Sequence, residues 1–211
     1  VCILLKNKPV WLSFKKHRFK KIILFLFRIN LLKNGLSHQH EYFKPFERYG
    51  LIYPVNYAIK FNSKATINNY ICIIPSSAWK TKCWSADNYA KLCERLLEKY
   101  SSIDIYLIGG EKDQHILLDI LSKVNNPRIK TFNTPLSISE SISFSANSLI
   151  TIGNDTGIMF GTELAGKDVI YLLGPTGKEL GIDTIRSTST IISKTLWCRP
   201  CSKTGTYCYN P

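Results

Sequence analysis

Four short stretches of this chain carry side chains and backbone that could hold an anion such as a phosphate. The first to consider is Gly153-Asn154-Asp155-Thr156-Gly157, which lies between an apolar run and a helical pattern. Asn and Asp tolerate tight turns, and glycine admits close backbone approach. A loop of this kind at a helix N-terminus turns free backbone N–H groups outward and favours an anion, often a phosphate. Pro75 to Ser85 adds the hydroxyls of Ser76 and Ser77 and the ammonium of Lys82, a point charge able to offset a leaving diphosphate. Gly109 to Asp113 adds the carboxylates of Glu111 and Asp113, which suit ribose hydroxyls. Gly174-Pro175-Thr176 is the fourth loop. Taken alone, Asn154 and Asp155 could simply cap the following helix. Four such loops in succession favour the ligand.

The elements that must place these loops alternate along the chain. Tyr70 to Ile74 reads as a strand, followed by a helix with Ser85 as N-cap and Tyr89, Leu92, Cys93, Leu96, Leu97 and Tyr100 on one face. Ile103 to Ile108 is the next strand, His115 to Val124 a helix and Arg128 to Phe132 a short strand. Ser137 and Glu140 form a capping box for a helix that runs to about Ala146. Leu149 to Ile152 is a buried strand, a helix starts near Gly157 with Phe160 and Leu164 four apart, and Gly166 stops it. Val169 to Leu173 is a further strand, and Thr190 to Ser193 another. Such alternation predicts an α/β fold with a mostly parallel sheet covered by helices. Ligands then bind beyond the carboxyl ends of the strands, where all four loops gather.

The chain has 211 residues with 45% hydrophobic content, enough for one large or two small domains. Its formal net charge is +13, which points to acidic partners such as nucleotide phosphates, anionic lipid or nucleic acid. The excess is concentrated in residues 1 to 40, which hold Lys6, Lys8, Lys15, Lys16, Arg18, Lys20, Lys21, Arg28 and Lys33 and no Asp or Glu. Phe14 to Leu32 is basic first and apolar second, the composition of a helix lying on anionic lipid headgroups. The competing readings pack that helix on its own domain with a solvated basic end, or make it the exposed remnant of a domain whose other half is absent. The longest apolar run there, Ile22 to Phe27, is too short to span a membrane. No initiator Met opens the chain, no secretion signal is evident, and Val1 to Leu5 reads like the inside of a strand. The chain is therefore expected to begin within a longer cytoplasmic protein, with residues 1–61 the remnant of an amino-terminal domain, 62–69 a linker and 70–211 the carboxy-terminal domain. Seven cysteines without a secretion signal fit a reducing compartment.

In order and spacing, PSSAWKTKCW, LIGGEKD, GNDTGIM and LLGPTG resemble the carboxy-terminal half of glycosyltransferase family 9, the ADP-heptose:lipopolysaccharide heptosyltransferases. The resemblance covers about Tyr70 to Pro211, and HQHEYFKPFERYGL resembles the end of the family's amino-terminal domain. It implies a GT-B fold, two Rossmann-like domains with the active site between them, and transfer of heptose from ADP-heptose to the lipopolysaccharide inner core. By the same resemblance, Ser76 and Ser77 bind the diphosphate and Lys82 neutralises its charge. Glu111 or Asp113 holds the ribose. Asn154 and Asp155, with the backbone of Thr156 and Gly157, grip sugar and diphosphate, and Gly174, Pro175 and Thr176 line the donor pocket. No cofactor and no metal are implied, because Lys and a helix dipole replace a divalent ion. Where the family usually has His three residues after the motif's Gly, this chain has Phe160, which cannot donate a hydrogen bond. The family's catalytic carboxylate lies early in the amino-terminal domain, so the base that takes the acceptor proton is expected in a segment preceding Val1. A chain without it is expected to bind the donor weakly or to be inactive. Localisation at the inner face of the bacterial inner membrane follows from the same resemblance together with residues 14–32.

Three other readings remain at this stage. A GT-B protein using a UDP or GDP sugar would need much the same loops, and an inactive gene fragment would keep them without activity. A basic nucleic-acid-binding module is disfavoured, because the lysines cluster in the amino-terminal residues and no zinc-finger or RNP-like pattern is present. In the tail, Cys198, Cys201 and Cys208 could supply three ligands of a zinc site that lacks a fourth, or stand as thiols on a loop, or form a disulfide on oxidation.

Overall fold

The computed structural model describes residues 2–5, 8–11, 17–32, 44–50, 69–201, 205–206 and 208. The expected linker 62–69 lies outside these apart from Asn69. The amino-terminal residues form a hairpin of antiparallel strands β1 (Cys2–Leu5) and β2 (Lys8–Trp11), then helix α1 (Arg18–Phe27). Residues 44–47 make one helical turn that ends at Gly50.

From Tyr70 onward, strands and helices alternate. Strand β3 (Tyr70–Ile74) is followed by α2 (Ala86–Lys99), β4 (Asp104–Leu107), α3 (Gln114–Val124) and β5 (Ile129–Lys130). Then come α4 (Ile138–Ala146), β6 (Thr151–Asn154), α5 (Gly157–Leu164), β7 (Val169–Leu173) and β8 (Thr190–Ser193). Both expected caps form: Ser85 Oγ accepts from the Asn88 N–H, and Ser137 and Glu140 bond reciprocally. The six strands pair in the order β5-β4-β3-β6-β7-β8, and every pairing is parallel. The order reverses between β3 and β6, and in an open α/β sheet the crevice beyond that reversal is where ligands bind.

Alternation along β3 divides the core between the two faces of the sheet. Ile71 and Ile73 meet Tyr89, Ala90, Cys93 and Leu97 of α2 and Leu117 and Ile120 of α3. Tyr70, Cys72 and Ile74 meet Met159 of α5 and Phe144 of α4 on the other side. A side chain of this kind contributes about 1.5–3 kcal/mol when fully buried, so these rows hold the domain together. Tyr70, Tyr89 and Tyr171 are fully buried, and each hydroxyl finds an acceptor, as a buried phenol must. Tyr70 donates to the Phe144 carbonyl at 2.7 Å, Tyr89 to Asn154 Oδ1 at 3.0 Å and Tyr171 to Glu163 Oε2 at 3.0 Å.

Strand β5 is shorter than the Arg128 to Phe132 read from sequence, and two further elements differ. Strand β6 starts at Thr151 rather than Leu149 and runs through Gly153 and Asn154, which the sequence reading places in a loop. Gly153 makes this possible, since a Cβ there would lie 2.7 Å from the Ile74 carbonyl oxygen and 2.9 Å from Met159 Sδ. Only a residue without a side chain lets β6 lie so close to β3 beneath α5. On α5 the buried stripe is Met159, Thr162 and Glu163, while Phe160 and Leu164 are only half-buried. The helix packs beside β7 as well as over the sheet, and its inner face is set by both.

Candidate functional site

The loops after β3 and β6 meet at the strand-order reversal, and Asn154 binds them together. Its side chain is fully buried. Nδ2 donates to the Pro75 carbonyl at 2.8 Å, and Oδ1 accepts from Tyr89 Oη at 3.0 Å and from the Trp84 backbone N–H at 3.3 Å. The carboxamide therefore serves the protein itself. It fastens both ends of the Pro75–Ser85 loop to the end of β6, so it acts on that loop's position.

Asp155, the next residue, is buried and carries the charge of the site. Lys82 Nζ lies 2.5 Å from Asp155 Oδ2, with side chains 15% and 7% exposed. Thr176 Oγ1, fully buried, donates to the same carboxylate oxygen at 3.3 Å. Ser77 Oγ donates to the Asp155 carbonyl at 3.1 Å. Three loops distant in sequence thus converge on one carboxylate. Lys82 sits in a 3₁₀ turn, Lys80–Lys82, and Gly174 brings the loop after β7 onto that turn. A Cβ at Gly174 would fall 2.8 Å from the Thr81 carbonyl oxygen.

Helix α5 begins directly beyond this cluster. Thr156 is its N-cap, accepting from the Met159 N–H at 3.4 Å. Gly157 is exposed, and nothing lies within 4 Å of where its Cβ would be. The first N–H groups of a helix have no intrahelical acceptor and carry the positive end of its dipole. An ammonium, a helix N-terminus and open space above a glycine therefore stand together, an arrangement chemically suited to an anion.

The remaining residues singled out from sequence take varied positions. Ser76 is buried at the end of β3. Asp113 Oδ2 accepts from the Gly110 N–H at 2.9 Å and closes the turn Glu111–Asp113, while Glu111 is exposed on that turn. The Pro175 carbonyl accepts from the Cys201 N–H at 2.9 Å. Phe160 rests on the Tyr171 ring with centroids 5.3 Å apart. In the tail, Cys198 and Cys201 are buried, and Cys208 is exposed. Burial first, and then the neighbouring Cys198, pushes the Cys201 thiol up. Among the described residues, no group of three or more His, Cys, Asp or Glu side chains is arranged to hold a metal ion.

Sequence reasoning missed two residues near the site. Glu163 is buried, and its carboxylate accepts the backbone N–H groups of Ile185 and Arg186 at 2.8 and 2.9 Å as well as the Tyr171 hydroxyl. Its one signal is a lone acid in the apolar pattern GIMFGTELAG. Arg199 donates from Nη2 to the Thr176 carbonyl at 2.6 Å and from Nη1 to the Lys194 carbonyl at 2.5 Å, and nothing local in the sequence marks it.

The model of glycosyltransferase family 9 (heptosyltransferase) matches residues 39–209. The chain belongs to this family. Among solved structures, a family 9 glycosyltransferase from Veillonella parvula has a TM-score of 0.60 at 15% identity, over 77% of this chain and 50% of that one. The E. coli ADP-heptose lipopolysaccharide heptosyltransferase II has a TM-score of 0.55 at 18% identity, over 61% of this chain and 39% of its own. E. coli heptosyltransferase WaaC, solved with ADP-2-deoxy-2-fluoro heptose, has a TM-score of 0.52 at 17% identity, over 62% and 38%. No curated protein sequence matches. At these identities the structural likeness shows the fold, that of one half of a GT-B glycosyltransferase. This family 9 chain spans between 38% and 50% of the length of those proteins. Among the described residues, no helix is long and apolar enough to cross a membrane.

Proposed function

We propose that residues 70–211 form the donor-binding domain of a heptosyltransferase that takes ADP-heptose and transfers heptose to the lipopolysaccharide inner core. The observation that carries the proposal is the placement of Lys82. Its ammonium is held by Asp155 at the N-terminus of α5, beside the open space at Gly157. On this reading the diphosphate lies across the α5 N-terminus, bonded by the backbone N–H groups of Thr156 and Gly157 and by Lys82. As the glycosidic bond breaks, charge grows on the departing diphosphate, and a preorganised ammonium and helix dipole stabilise it where the charge develops. No metal is required for that step. Asp155 presents Lys82 and faces the sugar, and Ser76 and Ser77 border the diphosphate. Asn154 positions the loop, and Gly174, Pro175 and Thr176 form the wall opposite.

Glu111 is the better placed to hold the ribose, because Asp113 is already engaged by the Gly110 N–H whereas Glu111 is exposed. The base for the acceptor hydroxyl is assigned to a preceding domain. Exposed Phe19, Ile22, Leu26 and Phe27 on α1, flanked by Arg18 and Lys20, support docking of the enzyme on an anionic membrane, close to a lipid-anchored acceptor. That E. coli heptosyltransferase WaaC was solved with an ADP-heptose analogue supports ADP as the nucleotide. The test is calorimetric titration of the chain with ADP, ADP-heptose, UDP and GDP. The expected result is selective binding of the adenine nucleotides, lost in Lys82→Met. Equal binding of UDP or GDP would move the assignment to another nucleotide sugar, and no binding by the folded chain would overturn it.

A further inference from the structure

We infer that the tail residues Arg199, Cys201 and Gly205 act as a strap that holds the loops bearing Lys82 and Thr176 in register, with Arg199 as its positioning residue. The inference deepens the donor-site assignment and rests on it only for the effect on nucleotide binding. Lys82 and Thr176 lie on separate loops beyond the ends of β3 and β7, outside the sheet's hydrogen-bond ladder. Asn154 ties the first loop to β6, and close packing at Gly174 sets the second loop against the Lys80–Lys82 turn; the tail adds hydrogen bonds to both.

The tail meets these loops at four points. Arg199 Nη2 donates to the Thr176 carbonyl at 2.6 Å, the backbone of the residue whose hydroxyl reaches Asp155. The Cys201 N–H donates to the Pro175 carbonyl at 2.9 Å. Thr81 Oγ1, next to Lys82, donates to the Gly205 carbonyl. Gly205 itself, at φ +73, fits between the two loops: a Cβ there would lie 2.5 Å from Pro175 Cγ and 3.4 Å from Lys82 Cγ. The tail therefore touches both loops of the Lys82–Asp155–Thr176 cluster.

The chemistry of Arg199 fits this role better than that of a general surface cation. Its fork reaches two carbonyls that lie eighteen positions apart, Thr176 and Lys194, and a lysine has a single nitrogen to offer. Its Nε is buried without a hydrogen-bond partner among the described residues. The guanidinium is thus placed by its two outer nitrogens. Arg28 Nη1 donates to the Pro200 carbonyl at 2.7 Å, so the strap is also anchored to the end of α1. Neither Arg199 nor Gly205 need touch a ligand to affect its binding.

The experiment combines ADP titration with site-resolved amide hydrogen exchange on the full chain, comparing Arg199→Met, Arg199→Lys and Gly205→Ala. Arg199→Met and Gly205→Ala are expected to weaken ADP between about ten- and a hundredfold, by analogy with removal of a partner hydrogen-bonded behind a metal ligand. They should also speed exchange at the amides of Lys82, Cys83 and Trp84 in the turn and at Leu180 after the Thr176 loop, leaving α2 and α3 at wild-type rates. Arg199→Lys should recover part of both. Wild-type exchange at the turn, or acceleration spread evenly over the domain, overturns the strap. If the wild-type chain fails to bind ADP, the donor-site assignment falls while the exchange pattern still decides the strap. Should Arg199→Met not fold, Gly205→Ala tests the strap at its other end, against Pro175 and Lys82, without removing a charge.

Discussion

Replacing Lys82 by Met tests the pair that the donor site is built on. Met keeps most of the side chain's length and apolar stem and removes the ammonium. Asp155, 7% exposed, is then a buried carboxylate whose remaining side-chain donor is Thr176. Removing one partner of a fully buried pair costs about 3–5 kcal/mol. Lys82 keeps 15% exposure, so water can reach part of the vacated space, and the expected loss is nearer to about 2–3 kcal/mol. For a chain of this size that lowers Tm by roughly 4–12 °C. The double variant Lys82→Met/Asp155→Asn removes both charges and should regain most of the loss, since the cost arises from the orphaned carboxylate. ADP affinity behaves differently. Losing a charged hydrogen bond to the diphosphate costs about 1.5–3 kcal/mol, roughly ten- to 150-fold, and the double variant should not restore it. Thermal melts and calorimetry on the two variants separate the effects. Equal stability of single and double variants would refute the pairing, and wild-type ADP affinity in Lys82→Met would refute the site.

Gly153→Ala should destabilise the domain by about 1–3 kcal/mol, because its Cβ would meet the Ile74 carbonyl oxygen at 2.7 Å, a backbone atom that cannot swing aside as Met159 could; denaturant melts measure this, and an unchanged midpoint would contradict the close approach. Burial pushes the thiols of Cys72 and Cys93 up to about 12. Since the unfolded thiol titrates near about 8.5, their contribution to stability is intact below about pH 8.5 and is lost as pH rises towards about 12. With iodoacetamide at about pH 8, exposed Cys208 should be modified first and Cys72 and Cys93 only on unfolding; mass spectrometry gives the order, and early labelling of Cys93 would argue against its burial. The chain should sediment with phosphatidylglycerol vesicles but not with phosphatidylcholine vesicles, less so as salt rises, and Leu26→Asp should abolish the effect. Equal sedimentation with both lipids would remove the electrostatic part of that reading.

Much of the architecture is written locally. The alternation of strand and helix from Tyr70 to Leu173, the N-caps at Ser85 and Ser137, and the four loops that carry hydroxyls, lysine and carboxylates can all be read from residues a few positions apart. Periodicity and capping act over one or two turns, so they leave marks in the sequence. What a polar side chain bonds to across the fold leaves none. Asn154 and Asp155 are neighbours of similar shape, yet one is fully engaged in fastening β6 to the loop after β3 and the other holds Lys82. Only the strand order, which sets β6 beside β3, distinguishes those roles. The same holds for the contact of Gly205 with Thr81, 124 positions away, and for Arg199 at the Thr176 carbonyl. Residue types and spacing single out four loops whose chemistry suits a phosphate. Which side chains are spent on holding those loops, and which remain available, emerges only when the sheet and the tail bring distant partners into contact.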